Sequence, residues 1–336
     1  MKMVKESIRG LLRKRGLALI PSANLYEWQL RPGTGLVHNA SAQLPDGARE
    51  YLRSDHPRLL ELERRYSSCD PAVTTPYVWR EGFVRDEDIA FFRGDNAYVW
   101  QVRGDNMNRM GYIAAFYYLQ SIDRLHLLDR LTEDNAFGNF TFEIGNRPVS
   151  RDLLDSLHEL YFLDRHLDLA RRTGFNMLDI GAGYGRLAHR ATQSFPGIAN
   201  YLCTDAIARS TFISEYYLRY RQSDRAKVIP LDEIEPALAA AKVDLAVNIH
   251  SFSECSTEAI RWWIALLARH GVRHLMIAPN SSDCGGARLQ TNDLRNFQPT
   301  VEKCGYRLIA RDPKYGDPAI QEFAIGPTYY FLFELS

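Results

Sequence analysis

The stretch Leu178-Asp179-Ile180-Gly181-Ala182-Gly183-Tyr184-Gly185 decides how this chain is read. It closes an apolar, strand-prone run, FNMLDI (175–180), and opens a helical one, GRLAHRATQSF (185–195). Glycines between a strand and a helix permit positive φ and let a ligand approach the backbone closely. The helix N-terminus beyond them offers N–H groups with no partner inside the helix. Outward from this turn, strand-like runs recur at NYLCTD (200–205), KVIPL (227–231), VDLAVNI (243–249) and VRHLMIAP (272–279). Between them lie the helical stretches TFISEYYLRYRQ (211–222), IEPALAAA (234–241) and EAIRWWIALLARH (258–270). Such alternation implies five parallel strands joined by right-handed crossovers, a doubly wound Rossmann-like α/β sheet. Two further strands, YRLIARD (306–312) and TYYFLFEL (328–335), are separated by a Pro- and Gly-containing loop with no clear helix, and read as an antiparallel hairpin closing one edge.

Upstream, the reading divides the chain into a mostly helical region over 1–150 and an α/β domain over 151–336. HPRLLELERRYSS (56–68) and MGYIAAFYYLQSIDRLHLLDRL (110–131) have helical character, with an aromatic run from Tyr77 to Trp100 between them. A helix is expected from Arg151 to about Arg172, with Ser150 as N-cap, a stripe of Leu153, Leu157, Leu160, Tyr161 and Leu167, and Gly174 as its stop. The 1–150 region is assigned to acceptor binding, as a lid, or to homo-oligomer contacts.

Two ligand classes use a glycine turn of this kind. Dinucleotide enzymes want G-x-G-x-x-G, with the pyrophosphate on the helix N-terminus. Here the third glycine falls one place early, at Gly185, and Arg186 stands where that pattern wants glycine. Asp179 beside the turn repels a pyrophosphate and attracts a sulfonium or ammonium ion. This selects S-adenosylmethionine over NAD as the cofactor, held by Asp179 and by Gly181, Ala182, Gly183, Tyr184 and Gly185. Asp205 ends the second strand 20 residues after Gly185, the place from which a carboxylate accepts hydrogen bonds from a ribose diol. Asp232 after the third strand reads equally as a contact to the adenine amino group and as a helix N-cap with Glu235 three residues on.

With D-x-G-x-G-x-G in place, the chain resembles the class I S-adenosylmethionine-dependent methyltransferases, whose sheet is five parallel strands followed by an antiparallel hairpin. More narrowly, EDNAFG (133–138), VSRDLLDSLHELYFL (149–163), LDIGAGYGRLA (178–188) and NIHSFSEC (248–255) resemble the bacterial sugar O-methyltransferase family. The resemblance spans about 130 to 335. It implies transfer of a methyl group to a hydroxyl of a sugar or glycoside acceptor.

Ligands on open α/β sheets bind beyond the carboxyl ends of the strands, so the fourth strand end, Asn248-Ile249-His250-Ser251-Phe252-Ser253-Glu254, faces the donor. Asn248 is counted with the cofactor site. His250 is the candidate base for the hydroxyl proton, and Glu254 is expected to orient its imidazole or to hold an acceptor hydroxyl; the alternative is a capping box from Ser251 to Glu254. In the long polar loop 278–299, Asn280, Asp283 and Arg288 are candidates for sugar hydroxyls, and Tyr112 and Glu133, with Asp134, for the far wall of the acceptor pocket. The absence of N-P-P-Y or D-P-P-Y after strand four speaks against amide- or base-nitrogen methylation. Rival readings are a methyltransferase of another small molecule or a protein, and a module that binds the donor without turnover.

Composition narrows the field further. Lys+Arg and Asp+Glu are 41 each, so no overall field collects polyanions, and nucleic acid is not expected as a partner. Hydrophobic residues at 46% and charged residues at 24% are those of a globular protein. The five cysteines are scattered and never spaced C-x-x-C, which fits a reducing cytoplasm and no structural zinc. No cluster has convincing metal-ligand spacing, and no metal is expected. No run reaches the ~20 apolar residues that span a bilayer, and the start, MKMVKESIRGLLRKRG, lacks the apolar core of a signal peptide.

Overall fold

The computed structural model describes residues 11–12, 44–80, 82–94, 96–99, 109–280 and 285–336. The basic first segment and Asp283 lie outside the described residues.

At the centre are seven strands: β1 (Phe175–Ile180), β2 (Ile198–Thr204), β3 (Ala226–Val228), β4 (Leu245–His250), β5 (His274–Pro279), β6 (Tyr306–Pro313) and β7 (Tyr329–Leu335). Their spatial order is 3-2-1-4-5-7-6. The first five run parallel, and β7 enters antiparallel between β5 and β6. This is the doubly wound sheet with a terminal antiparallel pair that the alternation predicts. β1 and β4 are neighbours, with Asp179 opposite Val247. The strand order reverses at β1, so the crevice there is where a ligand fits. The runs are continuous and apolar because both faces of the sheet are covered: Met177, Leu178, Val247, Met276 and Ile277 are all buried.

The helices used below are α1 (Pro57–Tyr66), α2 (Arg109–Ile122), α3 (Arg151–Leu167), α4 (Arg186–Ser194), α5 (Ala208–Tyr220), α6 (Ile234–Ala240), α7 (Thr257–Arg269), α8 (Gln298–Lys303) and α9 (Pro318–Phe323). α9 corrects the expectation of a helix-free loop between the last two strands; Asp317 caps it by accepting from the N–H groups of Ala319 and Ile320. α3 begins as expected, with the Ser150 hydroxyl accepting from Leu153 N–H. It is not the one-sided helix its leucine stripe suggests. Asp152, Asp155, Ser156, Glu159 and Asp164 are buried along with the leucines, because α3 packs between α2 of the N-terminal region and α4 of the α/β domain. Each of these polar groups has a partner, as buried polar atoms require: Arg93 and Arg124 of the N-terminal region bond Asp152 and Asp164, while Lys314 and Arg186 of the α/β domain bond Asp155, Ser156 and Glu159.

One such partner set is built on Arg93, which is fully buried. Its guanidinium donates to Glu133 at 2.6 Å, Asp134 at 2.7 Å and Asp152 at 3.4 Å. Glu133 also accepts from Arg190 at 2.7 Å and from the Ser150 hydroxyl. Although burial opposes ionisation, Arg190 and Arg93 hold Glu133 down at about 2. Both Glu133 oxygens are thus engaged, and neither Glu133 nor Asp134, which is bonded to Arg93 and Arg221, lines the cavity described below.

α1 is fastened across the sheet top by the pair Arg58–Glu215, at 3.0 and 2.5 Å, and by Tyr66, whose hydroxyl meets Thr211 Oγ1 at 2.8 Å. Arg65 on the same helix donates twice to Asp232 at 2.8 Å. That pairing overturns both readings of Asp232: its carboxylate caps no helix, and it does not line the cavity described next.

Candidate functional site

A cavity of about 630 Å³ opens at the carboxyl ends of β1, β2 and β4. Its floor is the glycine turn, where Gly181, Gly183 and Gly185 have φ of 71°, 56° and 86°. Each glycine has its own reason. A Cβ on Gly181 would lie 2.1 Å from Ser251 Oγ, so β4 closes against β1 only without one. A Cβ on Gly183 would meet nothing nearer than a Tyr98 ring carbon at 3.7 Å, so this backbone faces the cavity. Gly185 packs against Leu218 and Ser214 of α5 and stands away from the wall. Of the turn residues expected to hold a cofactor, Gly181, Ala182, Gly183 and Tyr184 line the cavity, as do Asp179 and Asp205.

The wall is acidic. Asp152, Asp155, Asp179, Asp205 and Glu254 line it, against the guanidiniums of Arg151 and Arg186. Arg186 is already committed, donating to both Glu159 oxygens at 2.9 Å and to Ser156 Oγ at 2.7 Å. Asp205 accepts from the N–H groups of Gly183 at 3.1 Å and Ile207 at 2.9 Å, one on each carboxylate oxygen, which leaves further lone pairs for a diol. Burial pushes Asp205 up to about 7 despite those bonds, with Glu254 contributing by like charge. Burial likewise pushes Asp179 up to about 8, with Arg186 and the Tyr201 hydroxyl opposing and Glu159 and Asp205 adding. Among the described residues, neither Asp179 nor Asp205 forms an ion pair.

His250 ends β4 with φ 69° and ψ −35°, a conformation that L residues rarely adopt and that costs on the order of 1–3 kcal/mol. It lines the cavity with Arg151 and Asp155. Burial, with Arg151, Arg186 and Lys314 adding and Asp155 opposing, pushes its imidazole down to about 3. Asp155 is itself clasped by Lys314 Nζ at 2.5 Å and Arg151 Nε at 3.3 Å.

Glu254 is on the wall but does not orient His250. One oxygen accepts from the Trp79 indole N–H at 2.6 Å and the other from Asn280 Nδ2 at 3.4 Å. Nor is it a helix cap: Ser251–Glu254 form a single 3₁₀ turn, and α7 is capped by Ser256. Asn280 lines the cavity through this contact. Asn248 does not. It is fully buried, donating to Ile180 O at 2.9 Å and to Ser251 Oγ at 2.6 Å and accepting from Phe252 N–H, so it ties the ends of β1 and β4 together. Tyr112 is buried on α2 away from the wall, and Arg288 is exposed and away from it too.

Sequence reasoning missed two parts of this site. Arg151, Asp152 and Asp155 reach the cavity from the first turns of α3, and the polar spacing in SRDLLDS (150–156) was the available signal. The roof comes from residues 73–79 and 97–99, including Trp79 and Tyr98, whose rings stand 5.1 Å apart; the aromatic run was legible, its destination was not. Among the described residues, no group of three or more His, Cys, Asp or Glu is placed to hold a metal ion, and no helix is long and apolar enough to cross a membrane.

No protein-family model and no curated protein matches the sequence. Among solved structures, the chain is similar to the [4+2]-cyclase SpnF, at 15% identity over 67% of this chain and 95% of that one, with a TM-score of 0.39. It is also similar to magnesium protoporphyrin IX methyltransferase from Synechocystis PCC 6803, at 13% over 66% and 97% with a TM-score of 0.38. The mitomycin 7-O-methyltransferase MmcR matches at 16% over 55% and 56%, also with a TM-score of 0.38. Likenesses this distant carry no argument, and the function rests on the residues of this chain.

Proposed function

We propose that this protein is an S-adenosylmethionine-dependent O-methyltransferase whose acceptor is a hydroxyl of a sugar or glycoside. The observation that carries the donor is the wall itself: a glycine turn at the strand-order reversal flanked by the carboxyls of Asp179 and Asp205, which form no ion pair among the described residues, whereas Asp152 and Asp155 are already paired with Arg93, Arg151 and Lys314. That charge set suits a cation and opposes the pyrophosphate of a dinucleotide. Asp205 then takes the ribose diol, Asp179 the positively charged end of the donor, and the Gly183 backbone the close contact between them. The sugar acceptor is carried by the sequence resemblance in 133–163 and 248–255.

When bound, the donor supplies an electrophilic methyl group on sulfonium, with a neutral thioether as leaving group. The chain must align the acceptor oxygen with that methyl and dispose of one proton. Alignment of this kind is worth roughly 7–11 kcal/mol. His250, neutral at physiological pH because its pKa is near 3, accepts a hydrogen bond from the hydroxyl and turns an oxygen lone pair toward the cavity. An imidazole this weakly basic takes the proton late, once C–O bond formation has made the oxygen strongly acidic. Arg151 and Asp155, beside it on the wall, are the groups placed to hold neighbouring hydroxyls.

The test is mass spectrometry of a panel of glycosides incubated with isotope-labelled S-adenosylmethionine. A labelled gain of one methyl on a glycoside is the expected result; donor binding with no product across the panel, and methylation of other hydroxyl compounds, would remove the sugar. The weak basicity of His250 favours a second reading, a module that binds the donor without turnover, and the same experiment separates the two.

A further inference from the structure

The donor reading leaves the purine without its expected partner, because Asp232 is bound to Arg65 and lies off the wall. We infer that residues 73–79 and 97–99 of the N-terminal region form the nucleoside clamp, with Trp79 and Tyr98 enclosing the adenosine and Glu254 acting as a second carboxylate on its hydroxyls. This rests on the proposed donor.

Position comes first. Trp79 stands 5.1 Å from the Tyr98 ring, and Tyr98 lies over Gly183, whose N–H is bonded to Asp205 at 3.1 Å. The indole therefore stands at the Asp205 end of the cavity. His250 ends β4, on the far side of β1 from β2 and Asp205. A donor with its ribose on Asp205 and its methyl toward His250 directs its base into the Trp79 end.

Chemistry agrees. A purine wants flat apolar faces and a few edge partners. Trp79, Phe83 and Tyr98 form a continuous aromatic group, with ring centroids 5.1 and 5.2 Å apart. Thr74 and Thr75 line the same cavity, as do Ser256, the N-cap of α7, and Trp263 on α7. Tyr98 is fixed over Gly183 by its hydroxyl, 3.2 Å from Ser210 Oγ on α5. The indole N–H takes one lone pair of Glu254 and holds the carboxylate in the cavity, leaving its remaining lone pairs to accept from ribose. This replaces an acid after β3 with a roof drawn from 175 residues away in sequence.

Calorimetry with S-adenosylhomocysteine and with 5′-methylthioadenosine, which lacks the amino-acid part, tests the clamp. Trp79→Ala is expected to weaken both by about 10- to 100-fold, the range of one lost base–aromatic contact. Trp79→Phe keeps a ring and loses the N–H, and is expected to weaken both by only a few-fold, covering the case in which the alanine variant does not fold. Unchanged affinity of folded variants for methylthioadenosine overturns the clamp. On the wild type, the 2-azido derivative of S-adenosylhomocysteine should photolabel peptides containing 73–79 or 97–99; labelling of 226–233 instead overturns it. Wild-type protein that binds neither nucleoside takes the donor reading down as well, whereas normal binding with unaffected variants removes only the clamp.

Discussion

Two sets of buried carboxylates lie within this molecule, and they behave oppositely. Glu133 and Asp155 are each clasped by two cations, which overcome burial and hold them below the usual carboxylate range. Among the described residues, Asp179 and Asp205, at the ends of adjacent strands, accept only from hydroxyl and backbone N–H groups, and burial pushes them up to about 8 and about 7. In the first set, Glu133 joins Arg93 of the N-terminal region to Arg190 of α4, and Asp155 joins α3 to Lys314 beyond β6. The second lines the cavity with no ion-pair partner among the described residues, and on the proposed function it is the set that receives the donor's positive charge.

Removing a clasped acid should have the largest effect. Glu133→Ala leaves Arg93 and Arg190 buried without their shared counter-ion and is expected to cost about 3–5 kcal/mol in urea unfolding; a loss below about 1 kcal/mol would dissolve the distinction between the two sets. His250→Ala touches neither set. It should leave the donor dissociation constant within a few-fold while turnover falls by about 10², and undiminished turnover would remove His250 from the reaction.

An unclasped acid should move stability and binding in opposite directions. The folded chain binds protons at Asp179 and Asp205 more tightly than the unfolded chain, where the ordinary value is 3.8. Without donor, these two groups therefore cost stability progressively as pH rises from about 4 to about 8. Asp179→Asn is expected to stabilise the donor-free protein at pH 8 by about 1–2 kcal/mol in thermal unfolding and to weaken S-adenosylmethionine binding. Destabilisation together with unchanged binding would place Asp179 with Glu133. The smallest effect is linkage. Binding a cation to ionised acids releases protons, so donor affinity should rise between pH 6 and 8 by at most about tenfold per unit for each proton. Calorimetry at pH 7 in buffers of different ionisation enthalpy should detect the release; affinity independent of pH would contradict it.

What the sequence disclosed follows the range of the interactions involved. The glycine turn, the run of five strands and the cap at Ser150 depend on neighbours a few residues away, and all were legible. Asp179 and Asp205 were legible because strand ends carry them to one crevice. Asp232 and Glu133 were misread for a single reason: Arg65 is 167 positions from one, and Arg190 is 57 from the other. A carboxylate looks the same in a sequence whether a distant guanidinium neutralises it or not. The destination of Trp79 was hidden likewise, its partner Glu254 being fixed by tertiary packing alone.

The backbone at residue 250 carries a consequence for natural history. Its left-handed torsion is a standing cost for any L side chain and none for glycine. In a lineage that stopped using the histidine, glycine would be the favoured successor there, gaining stability as it erased the imidazole. On the proposed role of His250, survey of descendant sequences at this one position would then separate working copies from retired ones, without an assay and without knowledge of the acceptor.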